Sequence, residues 1–272
     1  MMRTLWTAAS GMMAQQTNVD TIANNISNVN TTGFKTEQAE FKSLLYQTLQ
    51  SRSTSANGDE KPISAQVGLG TRLASITSNF TQGSMLASES PTAFAMQGNG
   101  FFGVQGADGT VYYTRNGDFK WSLGVDGVTL ATSEGYPVLN SDGEPIILPD
   151  YVAASDVRFT AKTGEVGYLD ANGEYVSLEM NIGAWQFNNP AGLEKIGGTL
   201  YSVTDASGQA LNEATTAGLT GSDIINGYLE GSNVQIADEM VDLIVAQRAY
   251  EMNSKAIQAA DEMLGQANSL RR

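Results

Sequence analysis

Apolar and polar positions alternate with three different rhythms along the chain. Near the start, positions 5, 8, 12, 15, 19, 22, 26 and 29 hold Leu5, Ala8, Met12, Gln15, Val19, Ile22, Ile26 and Val29. The steps alternate three and four, and seven of the eight residues are apolar, which is a heptad seam. It predicts a helix over residues 4–30, about 40 Å long at 1.5 Å per residue. Gly33, after Thr31 and Thr32, supplies a stop.

The same spacing returns at the other end. Ile236, Met240, Leu243, Gln247, Tyr250, Ser254, Ile257, Asp261 and Leu264 form one seam, interrupted at Ser254 and Asp261. Val234, Val241, Val245, Ala249, Met252, Ala256, Ala259 and Met263 form a second beside it. Ser232 with Gln235 three residues later reads as a capping box. The prediction is a helix over 234–268, about 52 Å long. Two adjacent seams are too wide for one partner helix. The pattern leaves two packings open: an antiparallel pair within one chain, or end helices that pack against several neighbours, which copies of the chain would supply.

Between the ends the period drops to two. Phe119, Trp121, Leu123 and Val125 alternate with polar or small residues, Asp126-Gly127 follows, and Val128 and Leu130 resume the alternation. That is a hairpin with a type I′ turn. Val166–Leu169 and Tyr175–Leu178 around Asp170-Ala171-Asn172-Gly173 suggest another, and Asp108-Gly109 and Asp142-Gly143 mark further turns. Residues 50–66 are polar with little periodicity and read as a loop, extended arm or disordered segment. Residues 36–49 are ambiguous; Phe41, Leu44, Leu45 and Leu49 suit one face of a short helix. The expected fold is α+β: long N- and C-terminal coiled-coil-forming helices flanking a mostly antiparallel β domain, sandwich or barrel-like. The expected divisions are 1–35 (N-terminal helix), 36–66 (linking segment), 67–229 (β domain) and 230–272 (C-terminal helix).

Composition narrows the chemistry. The 272 residues contain neither Cys nor His. Disulfides, thiol nucleophiles, Cys/His zinc sites and Ser-His-Asp catalysis are therefore absent. The net charge of −14 disfavours nucleic acid and anionic lipid as partners. Residues 51–229 hold 8 basic and 19 acidic residues, a net of −11, so the middle carries most of it and the ends are comparatively neutral. No run approaches the roughly 18 apolar residues of a spanning helix, so no membrane insertion is expected. The N-terminus lacks a compact apolar core and small-residue cleavage site and reads as mature sequence.

Candidate sites are weak. Asp170-Ala171-Asn172-Gly173-Glu174 lacks the further carboxylates of a calcium loop. Gly98-Asn99-Gly100-Phe101-Phe102-Gly103 lacks the Lys-Ser/Thr tail of a phosphate loop and reads as a tight turn into a Phe-bearing strand. The 29 acidic residues make a carboxylate pair for glycoside hydrolysis easy to postulate, but nothing places two in a cleft. The Met residues on the seams suit adaptable packing. No cofactor and no metal is expected.

Longer blocks are more specific. Asp20-Thr-Ile-Ala-Asn-Asn-Ile-Ser-Asn-Val29 followed by Thr32-Gly33-Phe34-Lys35 resembles the N-terminal signature of flagellar rod and hook proteins. Gln247-Arg248-Ala249-Tyr250-Glu251 with Asn253-Ser254-Lys255 is similar to that family's C-terminal signature, and Gly98–Phe102 and Tyr113–Phe119 fit its middle. The resemblance covers nearly the whole chain, in the family's order. Length and the stretch from Leu44 to Thr71 match the distal rod branch best, with proximal rod and hook relatives as alternatives.

The resemblance implies a non-enzymatic structural subunit of the basal body that assembles into a helical tube and transmits torque. It leaves the cell through the flagellar type III export apparatus. Its partners would be copies of itself, neighbouring rod and hook proteins, the exporter and the surrounding basal-body rings. Terminal helices would lie inside the tube and the β domain outside. The seam residues expected between copies are Leu5, Met12, Val19, Ile22, Ile26, Val29, Ile236, Met240, Leu243, Ile244, Tyr250, Ile257 and Leu264. Tyr46, Gln47, Thr48 and Pro62 mark the segment expected to stiffen the rod. A carboxylate-based hydrolase of cell-wall glycans is the alternative of a different class.

Overall fold

A computed structural model describes residues 2–50, 65–124, 127–149, 151–160, 162–170, 174–216 and 218–270. The chain is α+β, with two α-helices and mostly antiparallel sheets. It divides into two compact units. A helical unit takes Met1–Ser27, Glu37–Thr77 and Gln235–Arg272; a β unit takes Asn28–Thr36 and Ser78–Val234.

In the helical unit, α1 spans Met2–Ser27 and α2 spans Ile236–Ser269. They run antiparallel: Asn25 bonds Glu239, and fourteen residues back along α1 Gly11 lies against Asn253. A Cβ on Gly11 would come within 2.9 Å of the Asn253 amide, so glycine lets the helices approach there. The antiparallel pair within one chain is thus present. It covers one stripe of each helix. Ala8, Ala14 and Ile22 on α1, and Ala246 and Ala260 on α2, are buried. Among the described residues neither helix is long and apolar enough to cross a membrane.

Both helix ends nearest the β unit in the chain differ from expectation. α1 stops at Ser27, not residue 30, because Asn28 closes a turn: Thr31 N–H bonds the Asn28 carbonyl and Thr31 Oγ1 meets Asn28 Oδ1. Val29, the last member of the N-terminal seam, therefore lies beyond the helix. The capping box does not form. Gln235 occupies the N-cap position without a side-chain bond, and Ser232 Oγ accepts Val234 N–H in a local turn instead. Asp238 and Glu239 in the first turn supply the favourable charge there.

The ambiguous segment over 36–49 is extended. β1 (Glu37–Ser43) pairs with β4 (Thr71–Ser78), and β2 (Tyr46–Gln50) pairs with β3 (Ala65–Gly68), Tyr46 opposite Gly68 and Gln47 opposite Val67. Phe41, Leu45 and Leu49 stay exposed, so no helical face gathers them. Cross-strand pairing overrides a local pattern that is only weakly helical.

In the β unit the largest sheet has six strands, ordered Glu194–Gly197, Leu200–Ser202, Val111–Thr114, Phe101–Gln105, Ala184–Gln186, Leu211–Asn212. Strand Phe101–Gln105 has both faces covered. Phe102 joins a core with Phe94, Met96, Phe119, Leu130, Val166 and Ile224, while Phe101 joins an aromatic cluster with Tyr113, Trp185, Phe187 and Tyr201. The edge-to-face contacts in that cluster, such as Tyr113 to Phe187 at 4.9 Å, suit ring quadrupoles. Among the described residues no sheet closes into a barrel, because the strands are short and divided among several sheets.

The expected hairpins are present. Strands Phe119–Gly124 and Gly127–Thr132 pair with Gly124 opposite Gly127, so Gly127 begins the second strand. Strands Glu165–Leu169 and Tyr175–Asn181 pair with Leu169 opposite Tyr175. Residues 125–126 and 171–173, which include Asp126 of the expected type I′ turn and the heart of the calcium-loop candidate, lie outside the described residues.

Candidate functional site

The most tightly organised polar site is a buried ionic cluster in the β unit. Glu230 has a fully buried side chain. It accepts from Lys35 Nζ at 2.7 Å, from Arg115 Nη1 at 3.3 Å and from the Gly83 N–H at 2.9 Å. Lys35 also donates to the Thr81 carbonyl at 2.8 Å. Arg115 Nη2 donates to the Gly98 carbonyl at 2.7 Å, and its guanidinium lies 4.9 Å from the Phe101 ring centre. Burial pushes the Lys35 ammonium below the usual lysine value, with Glu230 working against that shift. Burial lowers Arg115 as well, again opposed by Glu230. Two basic groups thus share one carboxylate, and Arg115 Nε has no hydrogen-bond partner.

Backbone and amide contacts bind the same segments. The Gly33 N–H donates to the Glu230 carbonyl at 2.8 Å. Gly33 has φ +70, and a Cβ there would run into the backbone of Arg115 and Asn116, so only glycine fits. Asn233 Oδ1 accepts Thr36 N–H and Oγ1, and its Nδ2 donates to the Asn79 and Thr81 carbonyls. Thr32 Oγ1 donates to Asn116 Oδ1. Blocks that stand far apart in the sequence, Thr32–Lys35, Gly98–Phe102, Tyr113–Phe119 and Asn226–Asn233, meet here. Sequence reading identified most of these blocks but assigned no role to Lys35, Arg115 or Glu230. The available signal was a charge beside glycine in each block: Gly33 near Lys35, Gly117 near Arg115, Gly231 next to Glu230.

In the helical unit a buried asparagine joins three elements. Asn25 donates to the Glu37 carbonyl at 2.8 Å and to Glu239 Oε1 at 3.1 Å, and accepts the Glu37 N–H at 2.9 Å. It therefore ties α1 to the start of β1 and the first turn of α2. Burial, with Asp242 and Asp238 adding to it, raises the Glu239 carboxyl above its ordinary value, while the Asn25 bond pulls it back.

The seam residues fall into two groups. Ile22 is buried within the chain, and Leu5, Met12, Val19, Ile26, Leu243, Ile257 and Leu264 are half-buried. Ile236, Met240 and Ile244 are exposed, as are Val241, Val245, Met252 and Met263 of the second seam; these seven are 48–71% exposed. Tyr250, with Val19, lines a groove beside Gln16, Gln247 and Glu251. Tyr46, Gln47 and Thr48 lie on β2, with Leu45, Tyr46 and Leu49 exposed around them; Pro62 lies outside the described residues. Among the described residues no group of three acidic side chains is placed to hold a metal.

Three family models match the chain in order: "Flagella basal body rod protein" over residues 5–35, "Flagellar hook protein FlgE/F/G D1 domain" over 95–168, and "Flagellar basal body rod FlgEFG protein C-terminal" over 225–270. The chain is 46% identical to the flagellar basal-body rod protein FlgG of Borreliella burgdorferi, over the full length of both. It is 40% identical to that of Agrobacterium fabrum over 96% of this chain and 97% of the relative. It is 36% identical to that of Bacillus subtilis over the full length of both.

Proposed function

As a member of the flagellar basal-body rod protein family, the chain is a structural subunit of the flagellar basal body and not an enzyme, and we propose that it works by packing its exposed helix faces against copies of itself. The observation that carries this reading is the apolar face of α2. Seven large apolar residues stand about half exposed or more on one helix. Their removal from water on assembly favours association at roughly 25 cal/mol per Å². The intramolecular pair uses one stripe of each helix, and the second stripe is left for neighbours in a coiled-coil-like packing. Contacts of this kind between identical copies continue as a helix when the rotation does not close.

In this arrangement Leu5, Met12, Val19, Ile26, Leu243, Tyr250, Ile257 and Leu264 support the inner pair and its rim, and Ile236, Met240 and Ile244 meet the next subunit. The acidic β unit faces outward. The β2–β3 hairpin, through Tyr46, Gln47 and Thr48, bridges subunits and stiffens the tube, which carries torque. The length and the segment from Leu44 to Thr71 support the distal part of the rod, next to the hook. Export by the flagellar type III apparatus and contact with the surrounding rings complete the reading.

Ile244→Asp tests it. The variant should fold as the parent does, because Ile244 is 55% exposed, yet fail to enter rods, leaving cells non-motile. Normal motility would sink the assignment. Ile22 is the poorer probe, since at 5% exposure its replacement by Asp breaks the chain's own packing.

A further inference from the structure

The β unit is assembled from distant parts of the chain. Its strands Phe94–Gln97 and Met85–Ala87 take their partners from Asp223–Asn226 and Tyr228–Glu230. Glu230 is the carboxylate that meets both Lys35 and Arg115 in the interior. Without it the unit would have to bury two basic side chains with no carboxylate in contact with either, Glu213 acting on Arg115 only through space. Lys35 can escape by losing its proton, but a guanidinium does not. Removing one partner of a buried ion pair is strongly destabilising because the other charge is left uncompensated. Synthesis delivers a chain from its N-terminus, so residues 28–222 exist before Glu230 does.

We propose that Glu230 is the counter-ion on which folding of the β unit depends, so that this unit stays unfolded until the C-terminal segment carrying Glu230 has been delivered. Strand pairing alone does not suffice: the strand from residue 228 to 230 adds a partner for Met85–Ala87, but its last side chain is what makes the interior electrically tolerable. The dependence is independent of how the helix faces pack.

The test uses the full-length chain. Glu230→Gln keeps the side chain's length and one acceptor oxygen for the Gly83 N–H, and removes the charge together with the second acceptor oxygen. In a Trp6→Phe background, Trp121 and Trp185 report on the β unit alone. Urea titration of E230Q should show the folded-to-unfolded ratio falling about a hundredfold or more. K35M/R115M/E230Q, with no charge left to compensate but with the Thr81 and Gly98 carbonyls losing their donors, should regain part of that loss and the protease resistance of residues 78–234. An E230Q chain that unfolds at the parent's urea concentration would overturn the proposal. So would a triple variant as unstable as E230Q, because the loss would then lie in hydrogen bonds and packing and not in charge.

Discussion

The two units treat the same residue types in opposite ways. In the β unit Phe94, Phe101, Phe102 and Phe119 are fully buried, and even its charges Lys35, Arg115 and Glu230 are inside and paired. In the helical unit Met240, Val241, Ile244, Val245 and Met252 stand in solvent, while polar Asn25 and Thr21 are buried. The first unit keeps its large core aromatics and its three clustered charges inside, though Leu123 and Tyr151 stand exposed on its surface. The second buries polar Asn25 in hydrogen bonds but leaves large apolar side chains of α2 exposed, the surface proposed above to meet other chains.

The contrast can be broken first in the β unit. Phe102→Ala should cost about 3–5 kcal/mol, seen as a shift of the urea midpoint of Trp185 fluorescence, because the cavity opens in a packed core. Val245→Ala, truncating an exposed residue, should stay within about 0.5 kcal/mol of the parent while slowing rod assembly. A large effect of Val245→Ala on the isolated chain would show that the helix face is already covered.

Asn25→Ala should have an intermediate effect, about 1–3 kcal/mol on the helical unit, because the Glu37 N–H and carbonyl lose their partner. Far-UV circular dichroism, dominated by α1 and α2, would register it. The smallest effect is electrostatic. The Glu239 carboxyl is raised in the folded chain, so its contribution is fully present below the ordinary carboxylate value of 4.5 and is lost as pH rises through the raised value. Helical stability should therefore fall over that acidic window, and Glu239→Gln should flatten the slope. An unchanged slope would place the titration elsewhere.

Much of the fold was legible because its signals are local. The seams announced both helices, and Asp108-Gly109 and Asp142-Gly143 announced turns that the structure contains, with φ +75 at Gly109 and +85 at Gly143. Errors arose where a side chain had a competing local bond. Asn28 ended α1 early, and Ser232 capped a turn in place of α2. Residues 36–49 stay ambiguous in the sequence because their strands are specified by partners at 65–78, beyond any local window.

By itself the sequence determined the periodicities, hence two long helices around a β region, the family through its blocks, and the absence of Cys and His chemistry. Periodicity and composition survive in one dimension because they depend on neighbours within a few residues. Only the tertiary structure decided which seam the chain covers for itself and which it leaves bare, and that Lys35, Arg115 and Glu230 share one interior. Those outcomes depend on contacts between residues 115 and 195 positions apart. The cost of burying a charge is set by what stands next to it in space, and no spacing along the chain records that.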